Sequence, residues 1–106
     1  MSNHFITLQE AKALTQRYRN NKDAINTGEY TSSLSISETF DADAIQAILN
    51  QPGCTGFRAY FGMNEENKVC LIFVGVNAND EELLNEYSVI VEKGKVCPPY
   101  CISNPL

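Results

Sequence analysis

Apolar residues recur at helical spacing in the first quarter of the chain. The residues that share this face are Ala11, Leu14, Tyr18 and Ile25. Thr7 and Glu10 precede them at the spacing of a capping box, in which each side chain accepts a hydrogen bond from a free backbone N–H at a helix start. The pattern predicts a helix over residues 8–25 that buries this face.

A change from helical to strand-like patterning follows in the middle of the chain. Residues 55–63 and 68–76 are rich in β-branched and aromatic side chains, and the polar residues 64–67 separate them by a length that suits a hairpin loop. The second segment is apolar at odd and even positions alike, which is typical of a central strand covered on both faces. We therefore predict an antiparallel hairpin whose second strand is central.

Shorter patterns predict the remaining elements. Residues 34–38 alternate as a short strand does, and residues 42–50 form a second amphipathic segment that ends at a Pro-Gly pair. Asn79 is placed to cap a short third helix near residues 80–85. Residues 87–92 favour a further strand.

These elements define an α+β fold in which a small, mainly antiparallel sheet packs against two helices. The chain has 106 residues, 43% of them hydrophobic and 20% charged, which is ordinary for one globular domain. We predict a single domain over residues 1–106, with an irregular tail over residues 95–106 because three of the four prolines lie there.

Charge and hydropathy limit the classes of partner and the cellular compartment that the sequence predicts. The formal net charge of −5 opposes binding to nucleic acid. The longest apolar run is far shorter than a bilayer span, so no membrane association is predicted. The N-terminus lacks the basic start and apolar stretch of a secretory signal, so the predicted location is the cytoplasm.

The most unusual segment is Cys97-Pro-Pro-Tyr-Cys101. Its spacing admits half of a metal site that Cys54 and Cys70 would have to complete, and it also admits a disulfide. Cysteines in the cytoplasm are kept reduced, and the second closely spaced pair of a metal site is missing. We therefore predict free thiols, with Cys97 and Cys101 as weak candidates for a metal and no cofactor.

Four polar residues are candidates for a ligand site: Glu38, Arg58, Tyr60 and Asn64. Arg58 and Tyr60 share one face of the predicted hairpin because side chains alternate along a strand. An Arg beside a Tyr can hold a carboxylate or phosphate. The alternative is an Arg that pairs with Glu38 or another acid on a solvated sheet face, which is the commoner role of such residues.

Signatures of catalysis are absent from the sequence. His4 is the only histidine and precedes the first helix, where termini are commonly mobile. No nucleophile elbow, zinc-protease motif or nucleotide-binding loop occurs. We predict no catalytic residue.

Five segments resemble an uncharacterised family of small bacterial proteins, of Bacteroidetes type and about the length of this chain, with a C-terminal CPPxC-type tail. They are residues 37–40 (SETF), 51–54 (QPGC), 58–63 (RAYFGM), 74–77 (VGVN) and 97–101 (CPPYC). The resemblance runs through nearly the whole chain and implies a complete protein. It implies no activity, cofactor or functional residue.

Three hypotheses of function follow. The first is a non-enzymatic assembly protein, most simply a homodimer, because few helices are predicted to cover a doubly apolar strand. The second is a protein that binds an anionic small molecule with Arg58 and Tyr60. The third is a thiol or metal protein that uses Cys97 and Cys101.

Overall fold

Two α-helices and five β-strands form the regular structure of residues 3–101 and 106, the part of the chain that the computed structural model describes. The predicted α+β class is confirmed. The elements are α1 (Leu8–Ile25), β1 (Ser37–Thr39), α2 (Ala42–Leu49), β2 (Gly56–Met63), β3 (Val69–Val76), β4 (Ile90–Val91) and β5 (Lys95–Cys97), and a short 3₁₀ helix (Gly28–Tyr30) follows α1.

The strands form two antiparallel sheets. One has the order β2-β3-β4 and the other pairs β1 with β5. The predicted hairpin is β2–β3, with β3 central as expected and Gly56 opposite Val76 at its open end. Its loop is closed by Asn64, whose side-chain oxygen accepts hydrogen bonds from two backbone N–H groups of the loop. The predicted strand over residues 34–38 overlaps β1 only at residues 37 and 38, and of the strand predicted over residues 87–92 only residues 90 and 91 form β4.

The outer edge of β3 is hydrogen-bonded along its length although β4 has only two residues. β4 pairs with the middle of β3, and separate segments serve the rest of the edge. The contacts are Val69 N to Ser33 O (2.8 Å), Leu71 N to Glu38 Oε1 (3.0 Å) and Leu83 N to Gly75 O (2.9 Å). A carboxylate therefore stands in for a missing strand residue at one point of the ladder.

Helix α2 covers one face of the three-stranded sheet. Ile48, on this helix, is fully buried. Phe40 precedes the helix and meets Phe73 of β3 edge to face, with ring centroids 4.8 Å apart, and Phe57 of β2 meets Phe73 in the same way at 5.4 Å. These aromatic contacts pack one end of the sheet face beside α2, and Phe57 at its margin stays exposed.

Helix α1 forms as predicted but does not bury the predicted face. Its capping box is present, with Thr7 and Glu10 bonded reciprocally. Leu14 is 54% exposed and Ile25 68% exposed, however, and no described residue of the helix is buried. The Tyr18 hydroxyl donates a hydrogen bond to the carbonyl of residue 35, and this is one of the few contacts between α1 and the rest of the chain. Periodicity gave the helix, but only part of its apolar face, at Ala11 and Tyr18, is half-buried by the described residues.

The predicted third helix near residues 80–85 is wrong. The Asn77 side-chain oxygen accepts from two backbone N–H groups and closes a turn instead. Asp80 has a φ of 64°, which ends any right-handed helix, and Glu82 forms a bridge with Val76. Asn77, two residues before the predicted cap Asn79, thus turns the chain back along β3.

The C-terminal segment is more ordered than predicted. Residues 95–97 of the predicted irregular tail form β5, and residues 102–105 lie outside the described part of the chain. Cys97 and Cys101 are joined in a disulfide, so the prediction of free thiols is wrong for this pair. It holds for Cys54 and Cys70. Free thiols were predicted because the cytoplasm keeps cysteines reduced, although a sequence separation of four allows a disulfide.

Candidate functional site

Arg58 and Tyr60 lie on one face of β2, as predicted, and both contact Glu82. Arg58 Nη1 lies 2.8 Å from Glu82 Oε2, and Arg58 Nη2 lies 2.9 Å from Asp80 Oδ2. The Tyr60 hydroxyl donates to the same Glu82 oxygen. Two carboxylates of the chain itself therefore neutralise the guanidinium that an anionic ligand would need.

The electrostatics of this cluster follow from its hydrogen bonds. Those from Tyr60 and Arg58 lower the pKa of Glu82 because they stabilise its charged form. The pKa of Tyr60 is raised, chiefly because its hydroxyl donates a hydrogen bond to Glu82, and the bond to Glu82 also raises the pKa of Arg58. The cluster is thus held in a single charge state near neutral pH.

Glu38 and Asn64 do not join Arg58 and Tyr60. Asn64 closes the β2–β3 loop, and Glu38 lies at the other edge of β3, where it accepts from Leu71. The acids that pair with Arg58 come from the segment that was predicted to be helical. The only sign in the sequence of a nearby acid was the charged side chain of Arg58 on a mostly apolar strand. That sign could not identify the acid as Glu82.

The outer edge of β2 differs from the outer edge of β3. At the loop end of the hairpin, Asn64 N donates to Lys68 O. Bonded and non-bonded pairs alternate in an antiparallel ladder, so even-numbered residues of β2 bond to β3. Odd-numbered residues direct their N–H and C=O groups away from β3, where no described residue bonds to them.

The side chains of these odd-numbered residues are apolar and exposed. They are Phe57 (47% exposed), Ala59, Phe61 (82%) and Met63 (50%). Proteins usually protect such an edge with lysine, proline or a covering segment. We call the eight residues of β2, with their outward backbone groups, the free edge.

Neither the disulfide nor the remaining cysteines offer a metal site. Cys97 and Cys101 are bonded to each other and have no thiolate to donate. Within residues 3–101 and 106, no group of three or more His, Cys, Asp or Glu side chains could hold a metal ion. Burial raises the pKa of Cys70, which disfavours the reactive thiolate, so Cys70 is a structural residue of the sheet.

Comparison of the chain with protein-family models, curated proteins and solved structures finds no match. The resemblance to small Bacteroidetes proteins stays a prediction. In the described residues, no helix has the length and apolar character needed to cross a bilayer.

Proposed function

We propose that this protein is a non-enzymatic assembly protein whose chains associate as a homodimer through the free edge of β2. The observation that carries the proposal is the contrast between the two edges of the hairpin. The outer edge of β3 is bonded by four separate parts of the chain, whereas the equally long edge of β2 has no partner among the described residues. Unpaired strand edges are templates for pairing with another chain.

The chemistry of the free edge suits a second copy. Its outward-facing backbone is flanked by Phe57, Phe61 and Met63, which lose exposed apolar surface on pairing. The one charged residue of β2, Arg58, is already neutralised by Glu82 and Asp80. Two such edges therefore approach each other without strong repulsion.

Two-fold symmetry makes the edge self-complementary. If Ala59 of one chain lies opposite Ala59 of the other, Phe57 of each lies opposite Phe61 of its partner. This register joins residues that direct their backbone groups outward and gives about six new hydrogen bonds. It extends two three-stranded sheets into one six-stranded sheet with an isologous interface.

Sedimentation equilibrium at tens of micromolar tests the proposal. The wild-type protein is expected to be a dimer. Ala59→Pro removes an outward N–H that β3 does not use, so an edge strand tolerates it and the chain should fold as a monomer. Phe61→Lys should also give a monomer, whereas Phe5→Lys, at a residue that is equally exposed but far from β2 in sequence, should stay dimeric.

A monomeric wild-type protein would refute the homodimer. A dimer that persists in both Ala59→Pro and Phe61→Lys would refute the free edge as its interface. Circular dichroism of each variant confirms that the fold is intact.

We also propose the cytoplasm as the compartment, as the sequence predicts. The Cys97–Cys101 disulfide opposes this location because such bonds are rare there. We expect alkylation inside cells to label both cysteines, and the bond to close only after purification in air. A pair that resists labelling in cells would place the protein in an oxidising compartment.

A further inference from the structure

A cavity of about 260 Å³ lies between α1, residues 34–38 and the loop half of the β2–β3 hairpin. Its walls are mainly apolar, and they come from five separate parts of the chain. The apolar lining side chains are Leu34, Ile36, Phe61, Val69, Leu71 and Val96. Cavities of this kind, with a few polar groups among apolar walls, are the usual form of a small-molecule site.

Glu38 is the one carboxylate in the wall of this cavity. Its Oε1 accepts from Leu71 N at 3.0 Å, while its Oε2 is shielded from solvent and has no hydrogen-bond partner among the described residues. A shielded carboxylate oxygen without a donor is costly, and such groups usually have a partner. The wall holds two other ionisable groups: the Tyr18 hydroxyl, which is already bonded to the carbonyl of residue 35, and the Cys70 thiol, whose pKa burial raises.

The charge of Glu38 also has no counter-ion in the described part of the chain. The ion pairs found there join Lys22 to Asp23, and Arg58 to Asp80 and Glu82. The last side-chain torsion of a glutamate is broad, so a small rotation can bring Oε2 to the cavity, and the same rotation shifts Oε1 against Leu71 N. A cationic donor inside the cavity would supply both the missing hydrogen bond and the missing charge.

We propose that this cavity binds a small organic cation, in which a primary ammonium group donates to Glu38 and an apolar body of about one ring fills the remaining space. The volume is just below the range of about 300–1,000 Å³ that holds drug-sized ligands, which sets the limit on size. The ligand proposed here is a cation, whereas the site predicted at Arg58 would bind an anion. The cavity site does not require the homodimer, because Glu38 lies at the opposite edge of the hairpin, although Phe61 belongs both to the cavity wall and to the free edge.

The test is an NMR titration of the ¹⁵N-labelled protein with benzylamine, which is a cation at neutral pH. Benzyl alcohol has the same ring without the charge, and phenylacetate has the opposite charge. We expect benzylamine to shift the amides of Leu71 and Val96 and to bind about tenfold more tightly than benzyl alcohol, as a charged hydrogen bond allows. Phenylacetate should shift neither amide.

Two variants isolate the carboxylate. Glu38→Gln keeps an acceptor for Leu71 N but removes the charge, so benzylamine should lose its advantage over benzyl alcohol. Glu65→Gln makes the same change in the exposed hairpin loop and should leave the tenfold ratio unchanged.

Three results would overturn the proposal. One is the absence of shifts around the cavity, another is equal binding of benzylamine and benzyl alcohol to the wild-type protein, and the third is an unchanged ratio in Glu38→Gln. If Glu38→Gln does not fold, the comparison of the three probes on the wild-type protein decides the matter.

Discussion

Replacing Ile48 by alanine tests whether α2 holds the sheet as the structure indicates. Ile48 is fully buried, while its neighbour Leu49 on the same helix is 40% exposed. Both changes remove aliphatic carbons from an α-helix and replace them with the best helix former, so helix propensity favours the variants slightly in each case. Only the Ile48 side chain leaves a closed cavity.

The magnitudes follow from burial. Ile48→Ala removes three carbon groups at about 0.8 kcal/mol each, or roughly 2.4 kcal/mol, and the cavity left behind raises the cost to about 3–4 kcal/mol. Leu49→Ala loses only the buried part of the same transfer energy, and solvent fills the gap, so about 1–1.5 kcal/mol is expected. A domain of this size has about 5–15 kcal/mol of stability in total, so Ile48→Ala should fold but be markedly weakened.

Urea unfolding followed by circular dichroism measures both free energies of unfolding. All samples need one protein concentration, because association would add to apparent stability. The slope with urea should match among wild type and variants, since the folds are the same. If Ile48→Ala cost no more than Leu49→Ala, α2 would not be anchored by Ile48 and the packing described for it would be wrong.

Two further predictions concern the carboxylates. The pKa of Glu82 is lowered in the folded state, so its contribution to stability is present above the unfolded pKa and is lost as pH falls through the folded pKa. On acidification below about pH 5, the melting temperature of the wild type should therefore fall more steeply than that of Glu82→Gln, and parallel curves would contradict this reasoning. Glu38→Ala should speed hydrogen exchange at the Leu71 amide, because its acceptor is lost, whereas Glu38→Gln should not; equal exchange in the two variants would show that the carboxylate does not serve this amide.

The hairpin could be predicted because its signals are local. β-branched and aromatic side chains gave β2 and β3, the doubly apolar run made β3 central, and a polar loop of four residues joined them. The exposed edge of β2 could not be predicted, because nothing in a single strand states how many neighbours it has.

The candidate site could be predicted only in part, since contacts distant in sequence decide it. Period-two alternation placed Arg58 beside Tyr60. It could not show that Glu38 borders the far edge of β3, or that the chain after Asn77 turns back and brings Glu82 to Arg58. The error over residues 80–85 and the missed role of Glu82 therefore have one cause, a cap assigned to Asn79 when Asn77 closes the turn.

The apolar face of α1 shows a different limit. Helical spacing correctly identified residues 8–25, but spacing states only which side chains share a face. Leu14 and Ile25 are exposed in the described chain. Periodicity predicted that they share a face, but it could not show whether another part of the chain covers that face.

The way in which β3 obtains its hydrogen bonds makes the fold indivisible. Its outer edge draws partners from residues 33 and 38, which precede the hairpin, and from residues 83 and 90–91, which follow it. A fragment that began at the hairpin, or one that ended directly after it, would therefore leave part of the outer edge of β3 bare, beside the edge that β2 already presents. Completing β3 therefore needs contacts between residues far apart in sequence, and contacts of this kind slow folding.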